Sequence, residues 1–207
     1  MSPLYKTISS KDIPLDAETT EKLCLYLEEN HAPVQRPRFL GSGSFGYAFK
    51  INSEKAVKIT SDDKEAWVAE FLRQQKLPAT SPLVRIFDVV ELYNTDGEPI
   101  YAIVEELLSK APKKWKTLAT SLLAYDERQE PDYDDGSFYF GQKTLDELDD
   151  EDLPADEEKW VTKFLKTLIK LDIKYMDLHE GNILMRGDYP VAIDINNGKE
   201  EQKIKLL

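Results

Sequence analysis

The chain has 207 residues, 39 acidic and 27 basic, for a formal net charge of −12 at pH 7. Its length suits one compact unit or two small lobes, and 41% hydrophobic with 10% aromatic residues excludes a disordered chain. A single cysteine, Cys24, excludes a disulfide framework or a cysteine zinc site. The overall charge repels nucleic acid, and no apolar run reaches the ~20 residues of a membrane span. The opening Met-Ser-Pro-Leu-Tyr-Lys lacks a signal peptide's apolar stretch, so a reducing compartment is expected: the cytoplasm, or a host cytosol into which the chain is delivered.

A first helix is expected over residues 16–30, capped by Asp16, with Leu23, Cys24 and Leu27 as its apolar stripe, and ending at Asn30 before Pro33. Cys24 reads as a small buried hydrophobe and His31, just past the helix end, as a surface residue. Strand character begins at Arg38-Phe39-Leu40 and continues, after a glycine cluster, through Tyr47–Ile51 and Ala56–Ile59, with Asn52-Ser53 as the turn between the last two. Ser61-Asp62-Asp63 opens a helix over 62–76, with Trp67, Phe71 and Leu72 expected inward. Leu83–Leu92 and Ile100–Leu107 are two further strands around the turn Asn94-Thr95-Asp96-Gly97. Helices are then expected over Lys113–Tyr125 and Asp156–Leu171, the second with Trp160, Phe164, Leu165, Leu168 and Leu171 on one face. The short pieces Asn182–Met185 and Pro190–Ile193 form a hairpin through Arg186-Gly187-Asp188-Tyr189.

The excess charge is local. Residues 126–158 hold 15 acidic residues against Arg128 and Lys143, while the rest of the chain, 24 acidic and 25 basic, is near neutral. The run Asp146–Asp152 reads as a solvated, self-repelling connector.

Five pieces carry chemistry. Gly41-Ser42-Gly43-Ser44-Phe45-Gly46 sits between two strands, where glycines let the backbone turn tightly and bring N–H groups close to phosphate oxygens. A strand, not a helix, follows it, which excludes a dinucleotide-binding fingerprint. Lys58, in the apolar strand Ala56-Val57-Lys58, is costly to bury without anionic partners. A phosphate and a carboxylate from the next helix would satisfy it. Glu65 and Glu70 are the candidates, and spacing to the next strand favours Glu70. In Asp177-Leu178-His179-Glu180-Gly181-Asn182, Asp177 can orient and deprotonate an attacking hydroxyl, and Asn182 can turn back to hold a metal. Asp194 supplies a carboxylate for a hard, oxygen-seeking cation, which fits magnesium.

In this order the pieces resemble the protein-kinase-like superfamily, over about residues 38–198. The resemblance implies an α+β, two-lobed fold. A helical extension (1–35) precedes a small antiparallel β-sheet N-lobe with one helix (36–107), and a shortened, mainly helical C-lobe (108–207) carries the acidic insertion. It implies that Gly41, Gly43 and Gly46 cover the phosphates of ATP. Lys58, paired with Glu70, would position the alpha and beta phosphates, and Ala56 would roof the adenine. Backbone at Glu105 and Leu107 would meet the adenine edge, Asp177 would be the catalytic base, and Asn182 and Asp194 would hold Mg2+.

There are departures. Tyr175-Met176-Asp177 stands where most protein kinases have His-Arg-Asp, so an activation-loop phosphate has no arginine to order it. Asp194-Ile195-Asn196 replaces Asp-Phe-Gly, and Gln74 sits one turn beyond Glu70 where an apolar residue is usual. Only 13 residues follow Asp194, too few for an activation segment and the later helices, so a partner protein that completes the second lobe is an expectation. Three functions remain open: an ATP-dependent Ser/Thr protein kinase, a small-molecule phosphotransferase resembling the aminoglycoside kinases in Asp177-Leu178-His179, and a nucleotide-binding module acting by partner docking.

Overall fold

The computed structural model describes residues 2–43, 46–126, 153–174, 178–195 and 202–207. The chain divides into two compact units: Met1–Lys76 with Arg85–Leu107 and Glu201–Leu207, and Leu77–Val84 with Leu108–Glu200. The α+β class and the antiparallel sheet with one inserted helix are as expected.

The first unit opens with α1 (Pro3–Ile8) and α2 (Ala17–Asn30). The Asp16 carboxylate caps α2 by accepting the Thr19 N–H at 2.6 Å. Strands β1 (Arg38–Ser42), β2 (Gly46–Lys50) and β3 (Lys55–Thr60) follow, then α3 (Asp63–Gln75), β4 (Ile86–Tyr93) and β5 (Pro99–Glu106). The sheet order is β1-β2-β3-β5-β4, and a two-residue strand, Lys205–Leu206, pairs parallel with β4. That last strand has no sequence signal of its own; the Leu207 N–H bonds the Glu91 carbonyl, and Leu207 packs on the core.

Both faces of this sheet are covered. Alternation along the strands sends Phe49, Ile51, Val57, Ile59, Ala102 and Val104 to one face, where Leu4, Ile8, Leu23, Cys24 and Leu27 of α1 and α2 close over them. Leu4, Ile8, Ile13, Leu23, Cys24 and Leu27 of the N-terminal segment are therefore part of this unit's core. Cys24 is buried there, and burial pushes its thiol up to about 12. The opposite face packs Val89, Tyr101 and Ile103 against Ala66 and Ala69 of α3. The inward face of α3 differs from the expectation. Glu65, Ala66, Val68, Ala69, Glu70 and Leu72 are buried, while Trp67 and Phe71 are only half-buried.

His31 is also not where the sequence suggested. It is 6% exposed. Its Nε2 lies 3.1 Å from Asp88 Oδ2, and its Nδ1 accepts from Lys55 Nζ at 3.3 Å. That acceptor role places the ring proton on Nε2, pointing at the carboxylate. The Tyr26 hydroxyl donates to the same Asp88 oxygen. Burial raises the Asp88 pKa, but the hydrogen bonds from His31 and Tyr26 outweigh it and hold the group below the ordinary carboxylate value.

The second unit contains β6 (Ser109–Lys110), α4 (Lys113–Asp126), α5 (Ala155–Leu171), β7 (Ile183–Arg186) and β8 (Tyr189–Ala192). Helix α5 buries Trp160, Val161, Phe164, Leu165 and Leu168, and Asp172 closes it in the left-handed region at φ 51°. The Trp160 indole stacks on Phe164 with centroids 5.1 Å apart and donates to the Pro190 carbonyl at 2.8 Å, tying the helix to the β7–β8 hairpin. Residues 77–84 belong to this unit: the Val84 N–H donates to the Ala192 carbonyl at 3.0 Å, the Ala192 N–H donates to the Pro82 carbonyl at 2.8 Å, and Arg186 donates to the carbonyls of Ala79, Ser81 and Leu83 at 2.6–3.2 Å. The acidic run 127–152 lies outside the described residues.

Candidate functional site

In the first unit the glycine-rich turn is a β1–β2 hairpin, closed by the Gly43 N–H on the Gly46 carbonyl at 2.9 Å. Ser44 and Phe45 lie outside the described residues. Gly46 has a steric reason to be glycine, because a Cβ there would lie 2.5 Å from the Ile59 carbonyl of β3. Gly41 and Gly43 have open space around them. A cavity of about 390 Å³ beside this turn is lined by Asp12, Ile13, Pro14, Gly43, Gly46, Tyr47 and Ser61.

Lys58 sits in mid-strand on the face that packs against α3, between Ala48 of β2 and Ile103 of β5. Its Nζ lies 2.6 Å from Glu65 Oε1, with 16% and 9% of the two side chains exposed. The helix glutamate is thus Glu65, and the expected pairing with Glu70 is corrected. Helix α3 begins three residues after β3 ends, so its first turn already flanks Lys58. Glu70 comes five residues later, about 140° around the helix. Its carboxylate takes Arg73 Nε and Nη2, both at 2.7 Å, and Gln74 Nε2 at 3.0 Å. The anomaly of Gln74 disappears with this change. One turn beyond Glu65 stands Ala69, buried against Val89, Tyr101 and Ile103.

At the end of β5 the Leu107 N–H, part of the Glu105–Leu107 backbone that the resemblance would set at the adenine edge, donates to the Glu54 carbonyl at 2.7 Å. Glu105 pairs with Ala56 in the β3–β5 ladder, and Ala56 itself is 3% exposed.

In the second unit Asp177 lies outside the described residues; its neighbours do not. Leu178 is fully buried and anchors the turn. His179 accepts the Gly181 N–H at its Nδ1 (2.9 Å), and its carbonyl accepts the Asn182 N–H at 3.0 Å. These bonds give His179 a local structural role. The Asn182 carbonyl accepts the Ile193 N–H at 3.0 Å, so the β7–β8 ladder sets Asn182 one residue from Asp194 across the hairpin. Asn182 is 4% exposed, and Asp194 adopts φ 54°, a left-handed conformation that a non-glycine residue holds only when its surroundings demand it. A carboxylate and a carboxamide oxygen at neighbouring ladder positions are hard donors of the kind Mg2+ takes while keeping water and phosphate oxygens. Among the described residues no three His, Cys, Asp or Glu side chains cluster as a metal site. A larger cavity in this unit, about 440 Å³ between Trp115, Trp160 and Tyr189, contains none of the expected site residues.

The first unit's strand order β1-β2-β3-β5-β4, with a helix between β3 and β4, is the α+β arrangement expected from the sequence. Solved structures similar to the chain include a thermostable mutant of aminoglycoside phosphotransferase APH(4)-Ia. It is 12% identical, over 84% of this chain and 72% of that one, at a TM-score of 0.40. The streptomycin–ATP–APH(2")-IIa ternary complex is 20% identical, over 90% and 73%, at 0.37. The MAP kinase LmaMPK10 from Leishmania major is 16% identical, over 89% and 52%, at 0.38. No protein-family model matches the chain, and no curated protein matches it.

Proposed function

We propose that the chain is a magnesium-dependent phosphotransferase that moves the gamma-phosphoryl group of ATP to a hydroxyl, with Ser or Thr of a protein as acceptor. The observation that carries this reading is the Lys58–Glu65 pair. A lysine largely withdrawn from water, aimed off a strand and held against the Glu65 carboxylate, is expensive to maintain and suited to a polyphosphate. In the proposed step Lys58 binds the alpha and beta phosphates, and Asp177 accepts the proton of the attacking hydroxyl. The acceptor oxygen bonds to the gamma phosphorus as the bond to the beta-phosphate oxygen breaks, releasing the diphosphate. Asn182 and Asp194 would hold Mg2+, which supplies charge neutralisation for the phosphates. A partner protein engaging the second unit belongs to the same proposal.

The test is transfer of labelled phosphate from ATP and Mg2+ to a generic protein substrate. Asp177→Asn is expected to retain nucleotide binding and lose at least ~100-fold in transfer, the size of a lost general base. Equal transfer by wild type and variant would refute the assignment. A second reading, a small-molecule acceptor, is favoured by Asp177-Leu178-His179, a sequence shared with aminoglycoside kinases, and is tested by offering sugars and aminoglycosides in the same assay.

A further inference from the structure

The cavity of about 440 Å³ in the second unit has no task in the proposed reaction, yet it is built as a binding pocket. Its volume falls in the range of small-molecule sites, about 300–1,000 Å³. The start of α4, one face of α5 and the β7–β8 hairpin frame it, and its apolar wall is Trp115, Trp160, Met185 and Pro190. Bonds inside the unit fix that wall. Trp160, 2% exposed, stacks on Phe164 and is tied through its indole N–H to the Pro190 carbonyl. Trp115, 4% exposed, meets Trp160 with ring centroids 5.9 Å apart. A pocket held open in this way costs a ligand little ordering.

Two indoles and the Tyr189 phenol suggest at first a site for a cation, which aromatic faces attract. The chain's own ammonium groups already fill that role. Lys114 Nζ lies 4.7 Å from the Trp115 ring centroid and Lys163 Nζ 5.3 Å from that of Tyr189, while Phe164 covers one face of Trp160. A third lysine, Lys159, stands one turn before Lys163 on the same face of α5. Against these three the lining sets two carboxylates, and Asp156 is already taken by Lys114 at 2.5 Å. The chain's charge of −12 is screened beyond about 8 Å at physiological ionic strength, so the nearby lysines decide the sign of the ligand.

Tyr189 adds a donor. Its hydroxyl is shielded from water and has no hydrogen-bond partner among the described residues. Burial holds the phenol above its ordinary value, so it keeps its proton at neutral pH. A turn of the ring toward an acceptor in the cavity would end that deficit. Ammonium groups and a phenol only donate here, and a carboxylate only accepts.

We infer that this cavity binds a small aromatic carboxylate, its ring against Trp115, Trp160 and Met185 and its carboxylate accepting from Lys159 and Tyr189. The inference is independent of the phosphotransferase reading.

The chain's three tryptophans, Trp67, Trp115 and Trp160, serve as reporters. The full chain, labelled with nitrogen-15, is titrated with 2-naphthoate, 2-naphthylmethanol and 2-naphthylmethylamine while the indole N–H signals are followed. The carboxylate is expected to shift Trp115 and Trp160 saturably, leave Trp67 in place, and bind at least about tenfold more tightly than the alcohol or the amine. Lys159→Gln, at an exposed position, should bring the carboxylate to within about threefold of the alcohol and leave the alcohol's affinity unchanged. Tyr189→Phe should narrow the same gap. Equal affinity for the three probes, preference for the amine, or a Trp67 shift as large as the other two would each overturn the inference. So would an undiminished preference for the carboxylate in Lys159→Gln, or no saturable shift below about 10 mM.

Discussion

Replacing Glu65 and Glu70 separately, each against Lys58, asks which carboxylate holds the lysine. At 2.6 Å, and an effective dielectric near 20, the gross attraction of the Lys58–Glu65 pair is about 6 kcal/mol. Withdrawal of both groups from water offsets most of it, leaving a net coupling of about 1.5–3 kcal/mol, typical of a hydrogen bond to a charged group. Glu70 keeps its own partners, Arg73 and Gln74, and Arg73 is 41% exposed, so solvent screens that pair to under about 1 kcal/mol. A double-mutant cycle of Lys58→Met with Glu65→Gln, read by urea unfolding, is therefore expected to show the larger coupling. The cycle with Glu70→Gln should be additive within about 0.5 kcal/mol. In the transfer assay Glu65→Gln should cost about tenfold or more by letting the lysine wander, and Glu70→Gln should cost nothing measurable. A Lys58–Glu70 coupling equal to or greater than the Lys58–Glu65 coupling would refute the assignment.

Two further outcomes are expected. Asp88 has its pKa depressed in the folded state, so its contribution to stability is complete above its unfolded value near 3.8 and is lost as pH falls below that. Unfolding free energies of wild type and Asp88→Asn should therefore differ by a constant amount at neutral pH and converge in acid; parallel curves throughout would show that the aspartate is not held ionised by His31 and Tyr26. Gly46→Ala forces a methyl to 2.5 Å from the Ile59 carbonyl and should cost about 1–3 kcal/mol, whereas Gly41→Ala meets nothing within 4 Å and should stay within about 0.5 kcal/mol of wild type. Equal melting temperatures for the two variants would count against the close approach of β2 to β3.

What the sequence disclosed depended on how local the signal was. Helix α2 was legible because Asp16 supplies a cap and Leu23, Cys24 and Leu27 a stripe, all within one segment. The β7–β8 hairpin was legible from two apolar pieces around Arg186-Gly187-Asp188-Tyr189. The choice between Glu65 and Glu70 was not, because it turns on the two-residue link from β3 to α3, which fixes the helix phase relative to Lys58. Spacing to the strand that follows carries no information about that phase. Ala69 was the overlooked clue, since it puts an apolar residue one turn beyond Glu65 while Gln74 stands one turn beyond Glu70. His31 was misjudged because its partners, Lys55 and Asp88, are 24 and 57 residues away. The engagement of Leu107 by Glu54 is a matter of strand register, which no side-chain pattern records.

The N-terminal 35 residues follow from the same physics once β5 is read with care. A strand with one face in water alternates apolar and polar residues. Ile100-Tyr101-Ala102-Ile103-Val104 does not alternate, and every one of these residues is buried. A sheet whose central strand is apolar on both sides needs cover on both sides, and α3 can supply only one. At about 1.5–3 kcal/mol for each large side chain taken from water, leaving Phe49, Ile51, Val57 and Ile59 uncovered would cost about 6–12 kcal/mol, comparable to the whole 5–15 kcal/mol margin of an ordinary domain. Helices α1 and α2 are therefore a requirement of the sheet. Lys58 owes its placement to the same alternation: with Val57 and Ile59 turned toward those helices, the lysine between them must face α3, where Glu65 meets it.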